Sequence, residues 1–128
     1  MMIWFSHTSA LLVACAISVI GLMYLLRPHA ATQSFGLPLP EAGPNIGWWL
    51  RLKGVRDLVS GLLILALMMW SGSKELGIVL LVQALIPLGD MSLILAAKGR
   101  ARVAFGVHGS TAVLMIFAAL LLLLTAPQ

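Results

Sequence analysis

"RLKGVRDLVSGLLILALMMW", residues 51–70, begins in charge and ends in hydrocarbon. Arg51, Lys53, Arg56 and Asp57 are four of the chain's formally charged side chains, which number eight Lys or Arg and four Asp or Glu. From Leu58 onward only Ser60 and Gly61 interrupt the apolar run. A run that is continuously apolar, without strand-like alternation, points to a transmembrane helix. At ~1.5 Å rise per residue, about 20 residues cross a ~30 Å hydrocarbon layer. Working outward, three further runs reach that length, over residues 9–26, 75–97 and 103–124, with the first-quoted run taken over 49–70. The expected fold is all-α: a four-transmembrane-helix antiparallel bundle, one integral membrane domain over residues 1–128.

Composition agrees. The chain is 61% hydrophobic and 9% charged, with a mean hydropathy of +1.06, where soluble domains carry about 25% charged residues. The net charge of +4 does not indicate nucleic acid, because the basic residues sit at span ends and form no soluble basic face. The expected partner is the lipid bilayer. Cys15 is the single cysteine, which excludes an intrachain disulfide and leaves a Cys-based metal site without support. Within an apolar run it reads as a small buried core residue. "LVAC", residues 12–15, looks like a lipoprotein cleavage box, yet no Lys or Arg precedes it and "AISVIGLMYLL" after it stays apolar. It reads as a retained helix.

Orientation follows from the basic residues. Arg27, Arg51 and Lys53 flank the linker of residues 27–48, and Lys98, Arg100 and Arg102 lie between the third and fourth runs. The other face has Lys74 alone, beside Glu75. By the positive-inside rule, both of these loops are cytoplasmic and the N- and C-termini lie outside. Trp4, Trp48, Trp49 and Trp70, with Phe5 and Tyr24, stand near span ends and read as interfacial anchors. In the first linker, "RPHAATQSFGLPLPEAGPNIG", Pro28 can open a short helix that Gly36 ends. That segment could cap an opening in the bundle or merely connect helices; the sequence favours the connector.

Counting inward from the cytoplasmic edge, Asp57, Asp90 and His108 fall roughly 8–12 Å deep on three different spans, with Arg56 among them. Ser18 reaches the same level on the first span. Charge inside a membrane is costly and normally faces the bundle interior, paired or solvated, so this agreement in depth is the main functional signal. Lys53 and Asp57 share a helix face, as do Gly54, Asp57 and Gly61; Arg56 lies with Ser60, and Gln83 stacks above Asp90. Pro87 should disturb its helix one turn before Asp90. Gly54, Gly61, Gly106 and Gly109 permit close helix approach, and the Ala10, Ala14, Ser18 stripe would serve a homo-oligomer or the bundle itself equally well.

Two readings of the layer compete. In the structural one, Arg56 pairs with Asp90, Asp57 bonds His108 or Lys53, and the pairs fix helix register. In the functional one, the layer floors a pocket. An imidazole titrates near neutrality, so Asp57, Asp90 and His108 would carry acid/base catalysis. Arg56 would hold an anionic or carbonyl group, with Gln83 and Ser60 as further ligand contacts. His7 and His29 lie too far from His108 to share a metal, and no HExxH, phosphate loop or nucleophile elbow occurs, so no metal or cofactor is expected.

"RPHAATQSFGLP", "RLKGVRDLVSGL", "ALIPLGD" and the "HG" of residues 108–109 resemble a small uncharacterised four-helix integral membrane family with a domain-of-unknown-function label, distantly DoxX-like. The similarity runs over nearly the whole chain. Its most specific element is "KGVRD…G" with the later "GD". The resemblance implies a four-helix bundle in a bacterial-type plasma (inner) membrane and makes Arg56, Asp57, Asp90 and His108 a shared polar set. It implies no reaction. The leading expectation is a protein that binds a lipid-soluble small molecule in an intramembrane polar pocket; whether it is an enzyme stays open. The alternative is a non-catalytic accessory or assembly subunit with a structural polar layer. A small proton-coupled transporter ranks third, because small multidrug-type transporters share an acidic residue in their first helix and here the first span has none.

Overall fold

The computed structural model describes residues 1–126, and every regular element among them is helical. Five helices follow one another: α1 Met2–Leu26, α2 Pro28–Phe35, α3 Ile46–Trp70, α4 Ser73–Ala96 and α5 Ala101–Thr125. α1, α4 and α5 are long and apolar enough to cross a membrane. α3 matches α1 at 25 residues, but Arg51, Lys53, Arg56 and Asp57 in its first half set it apart. α1 also starts well before residue 9, taking Trp4 and Phe5 into the helix.

Local chemistry explains the boundaries. Pro28 opens α2, where its missing N–H would have had no helical partner anyway. Gly36 closes α2 with φ 101°, a left-handed conformation that glycine adopts without a Cβ clash. After α4, the Gly99 N–H bonds the Ile94 carbonyl at 2.8 Å and the Lys98 N–H bonds the Leu95 carbonyl at 3.1 Å. This is a Schellman closure, with Lys98 (φ 53°) in the left-handed place that glycine usually takes. Glycine stands next door instead, at residue 99, where a Cβ would collide with the Gly36 carbonyl. The Arg100 N–H donates to that same carbonyl at 2.8 Å, tying the α4–α5 link to the end of α2.

Two irregularities lie inside the long helices. Pro87 has no N–H for the carbonyl four residues back, and α4 is interrupted at Ala84. The disturbance expected at Pro87 thus appears on its N-terminal side. In α5, Ala104–Gly109 winds as a π-helix, which the sequence reading did not foresee.

α1 and α3 pack antiparallel along a glycine seam. A Cβ on Gly54 would lie 2.8 Å from the Gly21 carbonyl oxygen, and one on Gly61 2.6 Å from that of Ala14. The backbones therefore approach as closely as glycine allows. α4 and α5 form a second antiparallel pair, with Gly77 against Ala119. Gly109 meets Met91, but Gly106 has nothing within 4 Å and serves no close approach. The Ala10, Ala14, Ser18 stripe is used inside the bundle: the two alanines are buried and Ser18 faces Gly61.

One half of the bundle is a packed apolar core. Ala10, Val13 and Ala14 of α1 meet Ile64 of α3, Leu76, Leu80 and Ala84 of α4, and Met115, Ala119 and Leu122 of α5. Cys15 is exposed, contrary to expectation, because Ala14 takes the inward position and the next residue turns about 100° away. The four tryptophans are exposed, as membrane-surface anchors would be. Tyr24 is not: it is 2% exposed and packs edge-on against Phe35, with ring centroids 6.5 Å apart.

Candidate functional site

The other half of the bundle is polar inside. On α3, the seam of Gly54 and Gly61 turns Asp57 inward, and Asp57 is 7% exposed. Four residues earlier on the same face, Lys53 places Nζ 2.6 Å from Asp57 Oδ2. The ammonium also lies over two aromatic rings, 5.1 Å from the Tyr24 centroid and 4.9 Å from that of Phe35. Such cation–π contacts contribute about 0.5–2 kcal/mol each. Lys53 is therefore held on three sides by α1, α2 and its own helix.

Asp90 of α4 and His108 of α5 form a second pair, with Oδ2 and Nδ1 3.6 Å apart. His108 Nε2 lies 3.2 Å from the Phe35 carbonyl oxygen. A carbonyl only accepts, so Nε2 carries a hydrogen. A neutral imidazole with hydrogen on Nε2 turns the Nδ1 lone pair toward the Asp90 carboxylate. At 3.6 Å the two atoms face each other at ion-pair distance, longer than a hydrogen bond. His108 lies within the π turn, and π turns inside α-helices are frequently found at functional sites.

Phe35 closes the cluster. Its ring stands edge-on to His108, centroids 4.9 Å apart, while its carbonyl takes the imidazole N–H. α2 thus covers the polar end of the bundle and does more than connect helices. Arg100 fastens it by donating to the Gln33 and Gly36 carbonyls. Arg51 similarly donates to the Leu25 carbonyl, one of those left free at the end of α1.

Beside the cluster is a cavity of about 280 Å³. Its polar lining is Lys53, Asp57, Gln83, Asp90, His108 and Thr111. Its long wall is apolar and includes Leu12, Ala16 and Ile20 of α1, Ile86 and Pro87 of α4, and Val107 and Leu114 of α5. Leu12, Ile20, Ile86 and Val107 are also exposed on the outside of the bundle, so the cavity opens sideways. The cause is a divergence of helices: α1 packs on α5 along Ser110–Thr125 and draws away from the π turn.

A family model described as a domain of unknown function, DUF4267, matches residues 14–122. The chain belongs to the DUF4267 family. No curated protein and no solved structure matches it. The matched region of this DUF4267 chain contains the whole polar cluster and cavity lining except Leu12 and Val13.

Asp57, Asp90, His108 and Gln83 all line the one cavity. Arg56 is exposed and lines no part of it, so it meets neither Asp90 nor the cavity. Ser60 contributes only its carbonyl, which receives Gln83 Nε2 at 3.4 Å. Lys53, which sequence places among the orientation-setting basic residues and offers as one possible partner of Asp57, is the cation of the site, with Phe35 and Tyr24 as neighbours that sequence does not indicate. The shared face of Lys53 and Asp57 was the available signal for Lys53. Nothing in sequence marked Phe35 beyond its place before Gly36. Among the described residues, no three His, Cys, Asp or Glu side chains are grouped to hold a metal ion.

Proposed function

We propose that this DUF4267 protein binds a lipid-soluble small molecule between its helices, with the polar end of the molecule at Asp57, Asp90, His108 and Gln83. α3 serves as the fourth span in this reading, giving a four-transmembrane-helix bundle in a plasma membrane. The linker before α3 and the α4–α5 link face the cytoplasm, as their basic residues favour. The observation that carries the reading is the sideways-open apolar cavity ending in a polar cluster in which Asp57 and Gln83 are buried and the others half-buried. Sites for small molecules are mostly apolar hollows with a few convergent polar groups. Ionisable side chains within a membrane are costly enough to suggest a task. The Asp90–His108 pair would exchange a proton with the bound molecule.

The test is extraction and mass spectrometry of lipid-soluble compounds that co-purify with the full chain. Wild type should carry a compound that Ala16→Trp, which fills the cavity mouth, does not, with both eluting as the same folded species. Identical contents in the two proteins would sink the reading. Lys53–Asp57 favours a structural share for that pair, because both partners stand on one helix and satisfy each other. If Asp57→Asn and Asp90→Asn both fail to assemble in mild detergent, the accessory-subunit reading with a structural polar layer takes precedence.

A further inference from the structure

The six polar side chains lining the cavity differ sharply in what they leave free. Lys53 donates a hydrogen bond to Asp57 and sets its charge against the rings of Tyr24 and Phe35. Gln83 Nε2 donates to the Ser60 carbonyl, and Thr111 Oγ1 donates to the Val107 carbonyl at 2.7 Å. His108 Nε2 donates to the Phe35 carbonyl. In each of these four residues a side-chain donor is committed to the protein. Asp57 Oδ2 takes the Lys53 ammonium, but the acceptors of Gln83, Asp90 and Thr111 take no donor. Gln83 Oε1 is buried without a hydrogen-bond partner, and Gln83 as a whole is 8% exposed. Asp90 makes no hydrogen bond, only the 3.6 Å pairing with His108, and Thr111 retains its lone pairs.

Formal charge points the same way. Lys53 and Asp57 cancel. Asp90 with His108 sums to zero when the pair holds its extra proton and to minus one when it does not. Arg56, the cation that would have welcomed an anionic head, is outside. An unpaired buried acceptor has lost its water without replacement, a cost that an incoming donor would recover.

We infer that the cavity takes a single-tailed amphiphile whose head donates hydrogen bonds, a hydroxyl or a protonated amine, and discriminates against an anionic head. The inference rests on the cavity-binding reading above. The tail would enter from the bilayer through the gap between α1 and the π turn, along Leu12, Ala16 and Ile20, and the head would meet Gln83, Asp90 and Thr111.

Three radiolabelled probes of one chain length decide it: 1-dodecanol, dodecylamine and lauric acid, each titrated onto the full chain in mild detergent. The alcohol or the amine should bind about tenfold or more tightly than the acid at a pH where the acid is ionised, since a carboxylate has no hydrogen to donate to the acceptors. Gln83→Leu and Thr111→Val should each weaken that probe several-fold while eluting as wild type does. An alcohol preference makes the head neutral, and an amine preference makes Asp90 its counter-ion. Acid binding as tight as either overturns the head-group inference and leaves the cavity reading standing. If no probe binds and Ala16→Trp changes nothing, both fall. Two variants guard against one misfolding; if both fold and neither weakens binding, the acceptors are not the recognition element and the inference fails.

Discussion

Ala14, Ile64, Leu80, Ala119 and Leu122 meet in the apolar half of the bundle with no exposed surface, whereas the same four helices diverge in the polar half around a cavity of about 280 Å³. Hydrophobicity does not account for the contrast, since Leu12, Ile20, Ile86 and Leu114 at the cavity are as apolar as the core. Contact between α1 and α5 does. In the apolar half α5 turns Ala112, Ala118 and Ala119 inward, and small side chains let helices touch. In the polar half α5 carries the π turn, and α1 remains with α3 through Gly21 and Gly54. Lipid tails are as apolar as leucine, so nothing squeezes such a gap shut as water would. A hollow between membrane helices persists wherever shape fails to close it.

The contrast would break most severely at the glycine seam. Gly61→Leu should cost about 3 kcal/mol or more, because the new side chain meets the Ala14 backbone and Ser18 instead of a flexible neighbour. Loss of a single sharp elution peak in mild detergent is the expected result. A variant that elutes and unfolds like wild type would mean the seam has room.

Next comes a matched pair. Leu80→Ala, in the apolar core, should lose about 2–4 kcal/mol, while Ile86→Ala at the cavity wall should lose less than about 1 kcal/mol. Denaturant unfolding in mixed micelles compares them. Equal losses would erase the difference in packing between the two halves.

A smaller effect is expected at the ion pair. Asp57→Asn should cost about 1–2 kcal/mol, below the usual figure for breaking a buried pair, because Lys53 can extend toward the membrane surface. Its side chain is already 31% exposed. The same change in a Lys53→Met background should cost measurably less. If the two substitutions prove additive, the pair contributes nothing of its own.

Much of this was legible in sequence, and the part that was not has one physical origin. Apolar run length gave α1, α4 and α5, and Pro28 with Gly36 bracketed α2 to the residue. Depth could be counted too, since ~1.5 Å per residue carries Asp57, Asp90 and His108 to one level. Rotation about the helix axis could not be settled by counting. Arg56 and Asp57 differ by one residue and hence by about 100°, so depth admitted both while packing admitted only one. The seam residues Gly54 and Gly61 decide that rotation, bringing Asp57 inward with Lys53 beside it and sending Arg56 out. The role of Phe35 was beyond sequence altogether, because it depends on a contact between residues 35 and 108.

The smallest expected effect has the opposite sign. Lys98→Gly should stabilise the fold by up to about 1 kcal/mol, since glycine takes the left-handed position without strain. A lower thermal midpoint would show that the Lys98 side chain, and not its backbone, matters at that link.

A π turn closes its hydrogen bonds over five residues where an α turn closes over four, so Ala104–Gly109 stores one residue more than its path along the axis requires. His108 is therefore aimed by arithmetic as well as by chemistry. Removing any single residue between 104 and 107 would let the helix relax to ordinary winding without deleting a single polar group. The imidazole would then swing by about 100° relative to the link that precedes it, leaving either Asp90 or the Phe35 carbonyl behind. For this protein a one-residue deletion in that short apolar stretch would re-aim a polar side chain without touching it.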